Sequence, residues 1–202
     1  TQFTDLEYTL VWQDEFQESS INENNWNFDL GTGCESGLYG WGNNESQYYQ
    51  KENASIVSND YLQIEARDEY FAYEDCNGNS NETFYTSAKV HTKEKFDFTY
   101  GRIEASIKMD PTRGLWHAFW MLPSFSNSYW PKSGEVDIME NYTNSEGVKK
   151  LINNLIFEVG SFSASVTEND SISILGSYFD EFHTYSIEWD RASFSWFIDG
   201  VY

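Results

Sequence analysis

Cysteine, proline, histidine and positive charge are all scarce in this chain of 202 residues, and each shortage removes a class of protein. Two cysteines, Cys34 and Cys76, are too few for a disulfide scaffold and cannot alone fill the ligand shell of a structural zinc. One bridge between loops is the most they can form. The three histidines, His91, His117 and His183, are scattered without the spacing of a zinc site, so the metal-ligand set stays unknown. Neither a Gly-x-Ser-x-Gly elbow nor a phosphate-cradling glycine loop occurs. Twelve Lys and Arg stand against 33 Asp and Glu, a formal charge of −21. Such a surface repels phosphate backbones and anionic lipid, so no nucleic acid and no membrane is expected as a partner. A neutral polymer fits this charge better than a sulfated or uronic one. Apolar stretches break well short of a membrane span. What the chain does have is 40% hydrophobic residues and 18% aromatics, among them eight Trp, fourteen Tyr and fifteen Phe. That is enough for a sizeable core, and one domain is expected.

Period-two alternation recurs along the sequence. Leu62, Ile64 and Ala66 alternate with polar residues, as do Ile103, Ala105, Ile107 and Met109. Tyr8, Leu10 and Trp12 repeat the pattern, followed late in the chain by Tyr185, Ile187 and Trp189 and by Phe194, Trp196 and Ile198. No stretch keeps a helical period for long. Polar clusters at 31–46, 75–82 and 141–147 read as loops, and Pro111, Pro123 and Pro131 each fall beside an expected strand end. The fold class is all-β, a sandwich of two antiparallel sheets. Asp199-Gly200 reads as a turn whose following strand has no residues left, so the chain reads as cut short.

Chemistry concentrates in Gly134-Glu135-Val136-Asp137-Ile138-Met139-Glu140-Asn141-Tyr142, with three carboxylates in six residues and apolar neighbours. Acidic alternation on an exposed strand usually means solvation, but apolar and aromatic flanks point to a cleft. Strict alternation puts Glu135 and Asp137 on one face and Glu140 on the other. A Glu135–Glu140 pair on one face therefore requires one extra residue, and a β-bulge at Ile138-Met139 supplies it. The two Cα atoms then lie roughly 13 Å apart at about 3.3 Å per effective residue, and converging side chains bring the carboxylates closer. Retaining glycosidases hold two carboxyl groups about 5 to 5.5 Å apart. Three adjacent acids also push their proton affinities apart, as acid/base work requires. Trp116 and Trp120 lie in Gly-Leu-Trp-His-Ala-Phe-Trp-Met-Leu-Pro and Trp130 stands before Pro131. Tryptophans are more often core than platform, yet their gathering near the acids favours one or two at the surface of a groove.

In context, GEVDIMENY, GLWHAFWMLP, YGRIEASIKM, WGNNESQYYQ and LVWQDEF resemble the family 16 glycoside hydrolases, the laminarinase-like endo-β-1,3-glucanases in particular. The likeness runs from about Leu10 to Tyr202, and the acids have the E-x-D-x-x-E form that contains the extra residue. The resemblance implies a β-jelly-roll sandwich whose concave sheet is an open cleft for polysaccharide, cleaved internally with retention of configuration. Glu135 would be the nucleophile, Glu140 the general acid/base, and Asp137 the residue that orients and tunes Glu135. Trp116 and Trp120 would lie under the sugars, Asn44 and Arg67 would make polar contacts, and Trp130 would sit at the cleft edge.

Three departures from the family pattern stand out. His117 replaces a proline, and alternation turns it away from the sugar face. Glu158, in Ile156-Phe157-Glu158-Val159-Gly160, stands where the family usually carries a histidine, as a further substrate contact. Family members also continue past the Asp-Gly turn, and several bind a structural calcium through an Asp in that later strand. The resemblance thus implies no cofactor for catalysis and leaves a structural calcium open. Asp75-Cys76-Asn77-Gly78-Asn79 has its glycine misplaced for a calcium loop and reads as a polar surface loop.

Sequons begin at Asn44, Asn53, Asn81, Asn141 and Asn169, two of them close to the expected cleft, which favours a bacterial secreted enzyme. No leader precedes Thr1, which fits a cytosolic protein or a mature exported one, and the secreted form is the expectation taken. The partner expected is a polysaccharide acted on by a monomer. The leading activity is endo-hydrolysis of laminarin-type β-1,3-glucan. The alternatives are a mixed-linkage glucanase, a galactan hydrolase of the same family, and a glucan-binding protein, whose kind typically loses the carboxylates kept here.

Overall fold

The computed structural model describes residues 7–124, 129–143, 149–159, 162–168, 179 and 181–202. The chain divides into two compact units, one of Thr9–Asp97 and one of Phe98–Tyr202 with Thr1–Tyr8. The all-β expectation holds. Every long element is a strand, and three short 3₁₀ turns at Cys34–Ser36, Tyr39–Gly42 and Lys51–Asn53 are the helical pieces among the described residues.

The Thr9–Asp97 unit holds seven strands: β1 (Asn27–Asp29), β2 (Tyr48–Tyr49), β3 (Ala54–Val57), β4 (Tyr61–Ile64), β5 (Arg67–Glu74), β6 (Ser80–Ser87) and β7 (Lys89–His91). They pair as β1–β7, β3–β4 and β2–β6–β5, all antiparallel except β2 with β6. Cys34 and Cys76 are joined here, tying two loops across 42 residues of chain. The polar loop around Asp75 is a surface turn, as expected, with the Asp75 carboxylate accepting from the Asn77 and Asn79 amides and the Asn81 side chain.

Two expectations for the first hundred residues need correction. Tyr8, Leu10 and Trp12 form no strand; Leu10 and Val11 are strongly exposed, and Trp12 instead stacks on Phe96 and meets Trp26 edge-on. Three alternating residues without a hydrogen-bonding neighbour do not make a strand, and aromatic packing took Trp12 alone. The polar cluster at 75–82 likewise ends early, because Ser80 already opens β6.

The second unit is a two-layer sandwich. One sheet runs β12–β11–β10–β9 and the other β14–β13–β8, from β8 (Gly101–Ile107), β9 (Trp116–Met121), β10 (Glu135–Thr143), β11 (Lys149–Val159), β12 (Phe162–Glu168), β13 (His183–Trp189) and β14 (Phe194–Ile198). The expected alternations over 185–189 and 194–198 become β13 and β14, and that over 103–109 becomes β8, which ends at Ile107, short of Met109. Their inward residues meet those of the larger sheet in one core: Met109, Ile138, Met139, Leu151, Phe179, Tyr185 and Ile187 are buried, with Ile103, Phe119, Val136 and Trp196 packed against them. Burying such side chains stabilises by roughly 1.5–3 kcal/mol each. The Trp196 indole also donates across the layers to the Asp137 carbonyl at 3.0 Å. His183 opens β13 as a strand residue and holds Asp199 at 2.7 Å. The loop read at 141–147 starts later than expected, since Asn141–Thr143 extend β10; residues 144–147 lie outside the described residues.

Candidate active site

The inferred bulge is present. β10 pairs with β11 through Glu135–Ile156, Val136–Leu155 and Asp137–Asn154, then resumes at Glu140–Ile152, so Ile138 and Met139 together face Asn153. Against β9 the register also slips between Asp137 and Met139. Ile138 and Met139 both turn into the core, each 1% exposed, and two consecutive inward residues return Glu140 to the face that carries Glu135 and Asp137. The bulge leaves the Ile138 carbonyl off the ladder, and the Asn153 side chain donates to it at 2.9 Å.

Register fixes the rest of the face. Asp137 stands opposite Trp120, Glu140 opposite Ala118, and Tyr142 opposite Trp116 on β9. Trp116 and Trp120 therefore share the carboxylate face, while His117 falls on the reverse, beside the buried Asn141. On β11 the alternation through Ile152, Asn154 and Ile156 carries Glu158 onto the same face, beyond Glu135. A depression of about 490 Å³ adjoins Glu140, lined by Gly114, Leu115, Trp116, Tyr142, Thr143 and Ile152. That is a size suited to a small-molecule or sugar-ring site.

Each outer carboxylate has an indole on it. Trp130 Nε1 donates to Glu135 Oε2 at 2.8 Å, and Trp116 Nε1 donates to Glu140 Oε1 at 2.9 Å. The sequence reading took these tryptophans only as sugar contacts; their N–H edges also hold the acids. Asn154, which that reading missed, donates from Nδ2 to Glu140 Oε2 at 2.6 Å and also bonds Asp137. Its position opposite Asp137 becomes readable only once the β10–β11 register is known.

Burial separates the proton affinities. Asp137, 2% exposed, is pushed up to about 8, first by desolvation and then by the charges of Glu140 and Glu135, against the bond from Asn154. At neutral pH it keeps its proton, and in its bond with Glu135 the protonated Asp137 is the donor. Desolvation also raises Glu140; Glu135 adds to this, while the N–H donors Trp116 and Asn154 oppose it. The set thus offers a carboxylate steadied by two donors, a neutral acid between, and a second acid of raised affinity, which suits nucleophilic attack paired with proton transfer.

The other two expected contacts, Asn44 and Arg67, belong to the Thr9–Asp97 unit. Asn44 is an exposed turn residue at φ +57°, a conformation asparagine tolerates. Arg67 is engaged locally, pairing with Glu65 at 2.8 Å and donating to the Glu52 carbonyl at 2.8 Å. Among the described residues no group of three or more His, Cys, Asp or Glu converges as a metal site. Asn53 and Asn141, each opening a sequon, are buried, and their amides donate to the carbonyls of Glu65 and Lys150; in the folded chain neither is open to a glycan.

The model of the glycosyl hydrolases family 16 matches residues 41–202. A beta-glucanase of Rhodothermus marinus is 35% identical over 95% of this chain, which spans 63% of that protein. The clotting factor G alpha subunit of Tachypleus tridentatus is 33% identical over 96% of this chain, which spans only 26% of it. Among solved structures, the laminarinase catalytic domain from Thermotoga maritima superposes with a TM-score of 0.81 at 35% identity, covering 97% of this chain and 76% of that one. The chain belongs to family 16 of the glycosyl hydrolases and has that family's jelly-roll fold.

Proposed function

We propose, with membership of glycosyl hydrolase family 16 as the premise, that this chain is the catalytic domain of a retaining endo-β-1,3-glucanase acting on laminarin-type glucan. The observation that carries it is the bulge that returns Glu140 to the face of Glu135 and Asp137. Two acids on one open sheet face, flanked by tryptophans, match a polymer lying across the strands. The likeness to a laminarinase domain supports glucan as the polymer.

Glu135 attacks the anomeric carbon as the glycosidic bond breaks, and Glu140 gives its proton to the departing oxygen. A glycosyl ester on Glu135 results, with Glu140 ionised. Glu140 then takes a proton from water, whose oxygen attacks the same carbon; the ester breaks, Glu135 is released as a carboxylate, and the configuration is retained. Asp137, protonated beside Glu135, orients that carboxylate and spares it an adjacent negative charge. Trp116, Trp120 and Trp130 supply ring faces for sugar C–H surfaces, and Glu158 adds a polar contact on the same face; for Asn44 and Arg67 the family resemblance alone supports a substrate contact.

These carboxylates supply nucleophile, acid and base, so the reaction needs no cofactor; a structural calcium away from the chemistry is compatible with this reading. The partner is a neutral polysaccharide met by a monomer, with no nucleic acid and no membrane, in keeping with the charge of −21. A secreted location is supported by the Cys34–Cys76 bridge, a bond that persists in oxidising surroundings. A family model running through both compact units supports a single catalytic domain. The test is digestion of laminarin, with mixed-linkage glucan and agarose in parallel, followed by product sizing. A ladder of oligosaccharides from laminarin is expected. Cleavage of agarose alone would replace glucan with galactan, and binding without any release would make the chain a glucan-binding protein.

A further inference from the structure

Glu140 has an N–H donor on each oxygen, and the two are held differently. Asn154, on Oε2 at 2.6 Å, sits mid-strand in β11 and is 8% exposed. Trp116, on Oε1 at 2.9 Å, opens β9 and is 50% exposed, with its ring walling the depression beside Glu140. N–H groups donate and do not accept, so both bonds favour the ionised carboxylate. A general acid must instead carry a proton on one oxygen and turn that oxygen to the substrate. The buried amide fixes Oε2. Oε1 is therefore the oxygen that can work, and the half-exposed indole is what occupies it.

We propose that the Trp116 N–H is a displaceable cap on the acid/base: it holds Glu140 Oε1 in the free protein and gives it up when a sugar ring takes the depression and the indole face. The proposal rests on the glucanase reading. Substrate binding thereby raises the proton affinity of Glu140 at the moment a proton is needed, and the free protein is kept from protonating Oε1 prematurely. Among the described residues, the other titratable groups around Glu140 are Glu135, Asp137 and Tyr142 on β10 and, further along the same face of β11, Lys150 and Glu158; His117, on β9, and Asp110 lie toward the reverse side. Tyr142 packs on the Trp116 ring, so the test substitution has to keep a ring there.

Trp116→Phe removes the N–H and keeps a ring against Tyr142, whose centroid lies 6.5 Å away. In a Glu135→Ser background, which does not turn over, the Glu140 carboxyl is titrated by 13C NMR, its signal assigned by its loss in Glu140→Gln. In the free protein the Glu140 midpoint of Trp116→Phe moves to higher pH than that of the parent. With saturating laminarihexaose the two midpoints coincide. Asn154→Ala, lacking the fixed donor, moves the midpoint upward in both states. Equal midpoints for Trp116→Phe and its parent in the free protein overturn the proposal, and so does a gap that persists with the oligosaccharide bound. Laminarihexaose that is neither bound nor, by the unmodified protein, cleaved counts against the glucan reading alone, because the free-protein titration still decides whether the cap exists.

Discussion

Asp137 shows the tension of the site at the scale of one residue. It is almost fully buried and lies between two other acids, and it is tolerated because it keeps its proton up to about pH 8. Its affinity is raised above the ordinary carboxylate value of 3.8, so the folded state binds a proton that the unfolded state has released between those limits. Stability therefore falls as pH rises through that window, by up to about 1.4 kcal/mol per pH unit for this group, and levels off above it. Asp137→Asn removes the titration and can still donate to Glu135. Denaturant unfolding should find the variant more stable than the parent at pH 8, by about one to a few kcal/mol, with the gain shrinking toward pH 4. A gain that is the same at both pH values would mean that Asp137 is not held protonated. Asn154 and the two indoles are the counterpart: their donors favour the ionised form of the neighbouring glutamates.

At the scale of the element, the bulge in β10 is the feature on which the site depends. Inserting one residue between Met139 and Glu140 would leave Glu135 and Asp137 in place and turn Glu140 toward the core. Activity should be lost and the fold weakened, since a carboxylate is driven into the buried place of Asn141. Asn153→Ala is the gentler probe. It strands the Ile138 carbonyl, and unfolding should show a loss of about 1–3 kcal/mol, whereas no loss would mean that the bulge does not lean on this amide. The bulge was legible in the sequence because the spacing of Glu135, Asp137 and Glu140 conflicts with a period of two. The placement of Trp116, Trp120 and His117 followed from the same alternation. Asn154 was not legible: Asn153 and Asn154 are alike in sequence, and only the pairing register decides that one supports the bulge and the other a carboxylate. Tyr8 to Trp12 misled for the opposite reason, an alternation with no strand beside it.

For the whole molecule, a charge of −21 and the neutral glucan proposed as substrate make opposite demands on salt. Screening relieves self-repulsion, so unfolding midpoints should rise between about 10 and 150 mM salt as the screening length falls from roughly 30 to 8 Å. Turnover of laminarin should stay nearly level over that range. A steep fall in KM-dependent rate with salt would instead indicate an anionic polymer steered by local positive charge. The two compact units share one family model, and the three clustered carboxylates lie on a single sheet of the second unit. The central claim is that Glu135 forms a covalent bond to the sugar while Glu140 moves the proton. The most direct test is to trap that ester with a 2-fluoro glucosyl oligosaccharide carrying an activated leaving group, digest the protein, and sequence the labelled peptide by mass spectrometry. The account predicts one sugar adduct, on Glu135. An adduct on Glu140, or none from a protein that still cleaves laminarin, would contradict it.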